Sequence, residues 1–189
     1  MFQMKEGGKL AGGNPARGRV DNDFYATHPD SVKALLSVEE IIYPALEPAC
    51  GEGHISKMLP GRVLSCDLIN RGYGERFEDF LTSEHKDIET VITNPPFNLF
   101  QEFVEKSLKI ANKKVIMFGK LQALEGCKRA TYLQTTPLRT IYVFKKRQQP
   151  LWNGRVYSDV IGKKTSSTMC FAWFVWEKGY TGKPQIEWI

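Results

Sequence analysis

Neither the spacing of a metal site nor that of a disulfide framework occurs in this chain. Its four cysteines, Cys50, Cys66, Cys127 and Cys170, are separated by 16, 61 and 43 residues, whereas zinc sites and small cross-linked scaffolds gather cysteines at short, repeated gaps. The three histidines, His28, His54 and His85, are just as scattered. No metal is expected, and the thiols are expected to be reduced. Long apolar runs are missing too. No window approaches the ~18 residues of a membrane span, and the N-terminal stretch has no apolar core or cleavage site of an export signal. These absences predict a cytoplasmic protein. There are no internal repeats, and 189 residues hold one domain with a sizeable core but not two ordinary ones.

Charge is abundant and uneven. Residues 1–20 carry a net +3 and, with Gly7, Gly8, Gly12, Gly13, Pro15 and Gly18, read as a flexible basic arm. Residues 21–112 hold 8 basic and 16 acidic side chains, whereas residues 113–164 hold 12 basic and 2 acidic ones. The basic stretch is interleaved with Tyr132, Tyr142, Trp152 and Tyr157, a combination that predicts a face for a polyanion, nucleic acid first.

From Pro29 onward short helices and strands alternate. Ser31 is a plausible N-cap for a helix through Leu36, and Tyr43 to Pro48 is a strand entering a glycine turn. His54 to Leu59 opens a second helix. Arg62 to Asp67 and Thr90 to Thr93 are further strands, followed by a helix from Phe100 to Ala111 with Phe100, Phe103, Val104 and Leu108 on one face, and by a strand from Lys114 to Phe118. Such units imply a Rossmann-like, doubly wound, mostly parallel α/β sheet. Arg139 to Phe144 and Met169 to Trp176 are β-rich and are expected to pair antiparallel at the C-terminal edge of the sheet. The basic segment joining them, 145–168, is too long for a passive turn. Residues 21–189 are expected to form a single domain.

Three motifs carry chemistry. Glu47-Pro48-Ala49-Cys50-Gly51-Glu52-Gly53 lies at the first strand-to-helix crossover, where ligands bind in such sheets. Gly51 and Gly53 let the backbone turn tightly and approach a ligand. The motif lacks the third glycine of a dinucleotide fingerprint, and no GK[ST] phosphate loop is present; the leading acid favours a cationic or amine-bearing ligand. Asp67 ends the second strand, where an acid can accept both hydroxyls of a ribose. Asp79 can accept from an adenine amine, with Phe80 packing on the ring. Asn94-Pro95-Pro96-Phe97 directly follows the strand Val91-Ile92-Thr93. Two prolines fix φ near −65°, so the Asn94 side-chain carbonyl and the Pro95 carbonyl can converge on one NH₂ group while Phe97 offers a flat face to the ring that bears it. Upstream, the segment Asp23-Phe24-Tyr25-Ala26-Thr27-His28-Pro29 could hold a carboxylate through backbone amides and the Thr27 hydroxyl.

In this combination the chain resembles the class I S-adenosylmethionine-dependent methyltransferases, and within them those that modify adenine N6 in DNA, small phage-type members in particular. DFYAT is similar to their N-terminal cofactor segment, EPACGEG to their glycine motif and NPPF to their catalytic [DN]PP[YF] motif. Leu124-Glu125-Gly126, Arg129 and the stretch Phe171 to Gly179 also look like those of phage-type members. Two departures stand out: Cys50 where Phe is frequent, and His28 where Pro is frequent. No insertion resembles a separate target-recognition domain.

The resemblance implies the class I methyltransferase fold, in a bacterial or phage-infected cell, with S-adenosylmethionine as cofactor and S-adenosylhomocysteine as product. Tyr25, Thr27, Glu47, Ala49, Gly51, Gly53, Asp67, Leu68, Asp79, Phe80 and Asn94 would hold the cofactor, Glu47 facing the methionine amine and Asp67 the ribose. Asn94, Pro95, Pro96 and Phe97 would be catalytic, acting on an adenine flipped out of its stack. Lys145, Lys146, Arg147, Trp152, Arg155, Lys163 and Lys164 would bind the nucleic-acid partner, DNA first. RNA adenine remains an alternative substrate, as does a protein glutamine amide. A binding protein that occupies DNA without turnover is a non-enzymatic alternative.

Overall fold

The computed structural model describes residues 26–148, 151–152, 155–156 and 169–189, with backbone alone for residues 151–152 and 155–156. Helices α1 (Pro29–Leu36), α2 (Phe100–Ile110) and α3 (Cys127–Gln134) accompany strands β1 (Ala45–Glu47), β2 (Val63–Asp67), β3 (Arg76–Phe77), β4 (Thr90–Thr93), β5 (Lys114–Lys120), β6 (Leu138–Val143), β7 (Leu151–Trp152), β8 (Arg155–Val156), β9 (Phe171–Glu177) and β10 (Gln185–Trp188). Eight strands form one sheet in the order β10-β6-β9-β5-β4-β1-β2-β3, and β7 pairs with β8 alone. Pairings from β3 through β5 are parallel, while β9 runs antiparallel to both β5 and β6.

Strand alternation explains the two layers. On β5, Val115 and Met117 face one core while Ile116 and Phe118 face the other; on β9, Phe174 and Trp176 oppose Trp173 and Val175 in the same way. Phe103 and Val104 of α2 close the first core, and Val32 and Leu35 of α1 close the second. The expected doubly wound sheet is therefore present. Trp173 and Trp176 are fully buried, and each indole N–H is satisfied, Trp173 Nε1 by Ser31 O at 2.8 Å and Trp176 Nε1 by Thr136 Oγ1 at 2.9 Å. Burial of rings of this size dominates the stability of such a core. Glu39 is also buried, and its carboxylate accepts from Lys114 Nζ at 2.6 Å, from Tyr142 OH at 2.8 Å and from Arg139. The network ties α1's C-terminal connection to β5 and β6.

The structure departs from the sequence reading at several elements. α1 starts at Pro29, not Ser31: His28 is the N-cap, its Nδ1 accepting from Asp30 N at 3.1 Å, and proline suits the first helical position because its missing N–H would have no partner there. The helix expected from His54 to Leu59 is a single 3₁₀ turn at Ser56–Met58. Its Ser56 N–H is spent on the Glu47 side chain at 2.8 Å, and Pro60-Gly61 follows at once. β3, α3 and β10 were not expected. β10 lies outside the antiparallel β6/β9 pair and runs parallel to β6, and all four of its residues are exposed. Within the basic segment, β7 and β8 form a small antiparallel ladder through Leu151↔Val156 and Trp152↔Arg155. Among the described residues no helix is long and apolar enough to cross a membrane, and none of the four cysteines is disulfide-bonded.

Candidate functional site

β1, β2 and β4 end side by side, and the chain crosses from one side of β1 to the other between β2 and β4. Parallel α/β sheets bind ligands at such a switch point, outside the carboxyl ends of the strands. A cleft lies there. Its walls include Thr27, Glu47, Ala49, Asp67, Leu68, Asp79, Phe80, Asn94 and Pro96, nine of the positions singled out from the sequence.

Glu47, the last residue of β1, is 1% exposed. Ser56 N donates to its Oε2 at 2.8 Å, Ser56 Oγ donates to the same oxygen, and the Ser65 hydroxyl lies 2.7 Å from Ser56 Oγ. Burial pushes the carboxyl up from its ordinary 4.5 to about 8; the two Ser56 donors pull against that shift and the nearby Asp67 adds to it. Glu47 is therefore a neutral acid at pH 7 that a cationic ligand would ionise.

Asp67 closes β2, its Oδ2 accepting from Gly51 N at 2.7 Å and its Oδ1 from Ile69 N at 2.9 Å. These bonds fix the glycine turn to the neighbouring strand. Gly51 and Gly53 both have positive φ, 56° and 79°, a region that glycine enters without a Cβ clash. Neither lines the cleft. A Cβ on Gly53 would overlap the Tyr73 ring, so that glycine makes room for a side chain of the same protein. Leu68, beside Asp67, is 66% exposed at the mouth.

On the far wall, Asn94 Nδ2 donates to Thr27 Oγ1 at 3.1 Å. That bond joins the N-terminal segment to the NPPF turn and sets the plane of the Asn94 amide. The turn is stiffened by Leu99 N donating to Pro96 O at 2.9 Å. Phe97 leaves the cleft wall and leans on Phe171, ring centroids 5.8 Å apart at 36°, with Lys120 Nζ 4.4 Å from its own centroid. Phe80 is buried against Phe103 at 5.0 Å, and Asp79 Oδ1 accepts from Leu81 N at 3.0 Å, so both also serve the local fold.

Of the remaining positions, Pro95 and Phe97 belong to the turn but not to the lining. Lys145, Lys146 and Arg147 are exposed. Their segment is pinned where it begins, by Lys145 N donating to Ile189 O at 2.8 Å and Ser31 Oγ to Gln148 Oε1 at 2.7 Å. Tyr25, Lys163, Lys164 and the basic arm 1–20 lie outside the described residues, as do the side chains of Trp152 and Arg155.

Pro48, Cys50, His54, Arg71, Glu78, Leu99 and Phe103 also line the cleft and were not assigned to it from sequence. Burial lowers the pKa of His54, and it raises the Cys50 thiol to about 12. At the cleft wall the fold gathers Glu78 with Cys66 and His85, their ligating atoms within 4.8 Å of one another despite their separation in sequence. His85 Nε2 is 3.4 Å from Glu78 Oε1 and 2.9 Å from Ser83 Oγ. Burial pushes the Cys66 thiol up to about 12.

No family model and no curated protein matches the sequence. Solved structures do. A putative class I S-adenosylmethionine-dependent methyltransferase from Listeria monocytogenes superposes with a TM-score of 0.60 at 12% identity, covering 92% of this chain and 68% of that one. A modification subunit of a putative type I restriction enzyme from Vibrio vulnificus gives 0.54 at 12% identity, covering 92% of this chain and 48% of that one. DrdV, in a complex with DNA, gives 0.55 at 10% identity, covering 87% and 27%. The chain thus spans about half of the modification subunit and about a quarter of DrdV. The likeness is one of fold: this is the class I methyltransferase fold.

Proposed function

We propose that the protein transfers a methyl group from S-adenosylmethionine to the exocyclic N6 of adenine in DNA. One observation carries the reading: Asn94 and Pro96 of the NPPF turn line the same cleft as Glu47 and Asp67. A group that can hold an NH₂ thus shares a cleft with two acidic side chains placed to hold a cationic, ribose-bearing molecule.

The donor set fits that cofactor. Both Ser56 donors go to Glu47 Oε2, which leaves Oε1 for the ammonium of the amino-acid end. Asp67 has one N–H on each oxygen and keeps a second lone pair on each for ribose hydroxyls. Phe80, Leu99 and Phe103 supply an apolar wall beside Asp79, suited to a purine whose amine is accepted by a carboxylate. When bound, the cofactor supplies an electrophilic methyl group on a sulfonium.

The chain's own work is positional. Asn94 Oδ1 and the Pro95 carbonyl accept hydrogen bonds from the two N6 protons, which turns the nitrogen lone pair out of conjugation with the ring. Thr27 holds the Asn94 amide in the orientation that presents its carbonyl. Phe97 stacks on the extruded base, and holding the reacting atoms in line supplies much of the acceleration. Lys145, Lys146 and Arg147 meet the phosphate backbone. The likeness in fold to a restriction-enzyme modification subunit and to DrdV, which is bound to DNA, supports DNA as the polyanion.

Asn94→Ala tests the reading. It should still bind S-adenosylmethionine, weakened by less than about tenfold in calorimetry, and lose about 10²–10³-fold in transfer at saturating cofactor, the size of effect seen when one aimed hydrogen-bonding group is removed from a reacting centre. Turnover within tenfold of wild type would contradict the role given to Asn94.

A further inference from the structure

β5 continues where β4 stops. The two strands pair as far as Thr93↔Met117, and β5 then runs on through Phe118 and Gly119 to Lys120, alongside the NPPF turn. Lys120 lies two residues beyond Phe118 and therefore on the same face of the sheet, the face that carries Phe97 and Phe171. Its Nζ is 4.4 Å from the Phe97 ring centroid, within cation–π range.

Two neighbours fix that placement. A Cβ on Gly119 would overlap the Phe100 ring, so the end of β5 is pressed directly against the start of α2. Across the strand, Lys120 pairs with Phe171, whose ring stacks on Phe118 at 5.2 Å and 9°. Phe118 in turn meets Phe144 at 6.1 Å, immediately before the cations Lys145, Lys146 and Arg147. A run of aromatic rings thus connects the NPPF turn to the basic segment, with one ammonium at its inner end.

We infer that Lys120 is a substrate-binding residue that pairs with a phosphate flanking the target adenine and occupies the Phe97 ring until that base arrives. The inference rests on the proposed adenine reading, because it takes Phe97 as the base's platform. A base stacked on Phe97 needs the volume that the ammonium holds. The lysine stem is long and flexible, and an extruded nucleotide brings two phosphodiesters with it, so the displaced cation has an anion within reach. A neutral amide on a protein side chain would bring none. Lys120 would therefore favour polynucleotide over other carriers of an NH₂ group.

The test begins by mapping the adenine that wild-type protein methylates in plasmid DNA, then building an oligonucleotide around it. A second oligonucleotide carries neutral methylphosphonates at the two linkages flanking that adenine. K120M should raise KM for the ordinary oligonucleotide at least tenfold with kcat changed less than threefold, and K120R should recover most of the loss. The neutral linkages should cost wild type about as much as K120M does and cost K120M nothing further. Unchanged S-adenosylmethionine affinity in K120M shows that the variant is folded; if K120M does not fold, K120Q, which also removes the charge, takes its place on the two oligonucleotides. A wild-type KM in K120M, or equal losses for both proteins on the neutral linkages, would overturn the role of Lys120 and leave the adenine reading standing. A wild-type protein that methylates no polynucleotide would overturn both.

Discussion

Glu47→Gln isolates the buried acid at the end of β1. In the folded protein the carboxyl titrates at about 8, against an ordinary 4.5, so between those values the native state holds a proton that the unfolded chain has released. Stability from this group is fully present below pH 4.5 and is lost as pH rises through 8. The slope approaches 1.4 kcal/mol per pH unit, and the whole window amounts to an upper bound of about 5 kcal/mol. That is a large share of the 5–15 kcal/mol typical of a domain. Glutamine keeps the shape and can still accept from Ser56, but it does not titrate. Urea unfolding of both proteins between pH 5 and 9 cancels the contribution of every other group in the difference. Relative to wild type, Glu47→Gln should gain stability steadily with pH and level off above 8. Parallel curves would refute the buried, proton-holding carboxyl. The same proton governs the ligand: wild-type affinity for S-adenosylmethionine should rise towards tenfold per pH unit below 8, while that of Glu47→Gln stays flat.

Three further perturbations address other parts of the account. Replacing Lys145, Lys146 and Arg147 together with alanine should weaken DNA binding and reduce the slope of log affinity against log salt by about 2–3; an unchanged slope in a fluorescence titration would remove them from the interface. Gly53→Ala combines a φ of 79° with overlap onto Tyr73 and should cost about 2–4 kcal/mol, visible as an earlier urea midpoint; an unchanged midpoint would show that the turn is not confined. Glu39→Ala leaves the Lys114 ammonium, 9% exposed, without its carboxylate and should cost about 3–5 kcal/mol. A loss under 1 kcal/mol by the same assay would show that the network is not needed to hold β5 and β6.

The strands that the sequence revealed were those with an unbroken apolar pattern. Val91-Ile92-Thr93 and the run from Phe171 to Trp176 are buried on both faces, which is what a run without alternation signals. β10 escaped because Gln185-Ile186-Glu187-Trp188 is exposed throughout; its alternation was present, but only one edge of it is paired. The helix read after the glycine turn failed because Ser56 bonds Glu47 instead of continuing a helical ladder, a tertiary choice that no local pattern records. His28 stands where the methyltransferases that the sequence resembles often have proline, and its ring caps α1, so that departure has a local structural use. The residues that singled out the cleft sit at strand ends, where position along the chain is informative. Arg71, Glu78 and Phe103 reach it from segments whose approach is set by packing, and Lys120 meets Phe97 only because β5 outruns β4.

The acceptor atom separates adenine from every other carrier of an NH₂ group. Wild-type protein incubated with methyl-labelled S-adenosylmethionine and, separately, plasmid DNA, RNA or a protein extract should place label in DNA, and digestion to nucleosides should recover it as N6-methyladenine. Label recovered in glutamine, or in another nucleoside, would contradict the account.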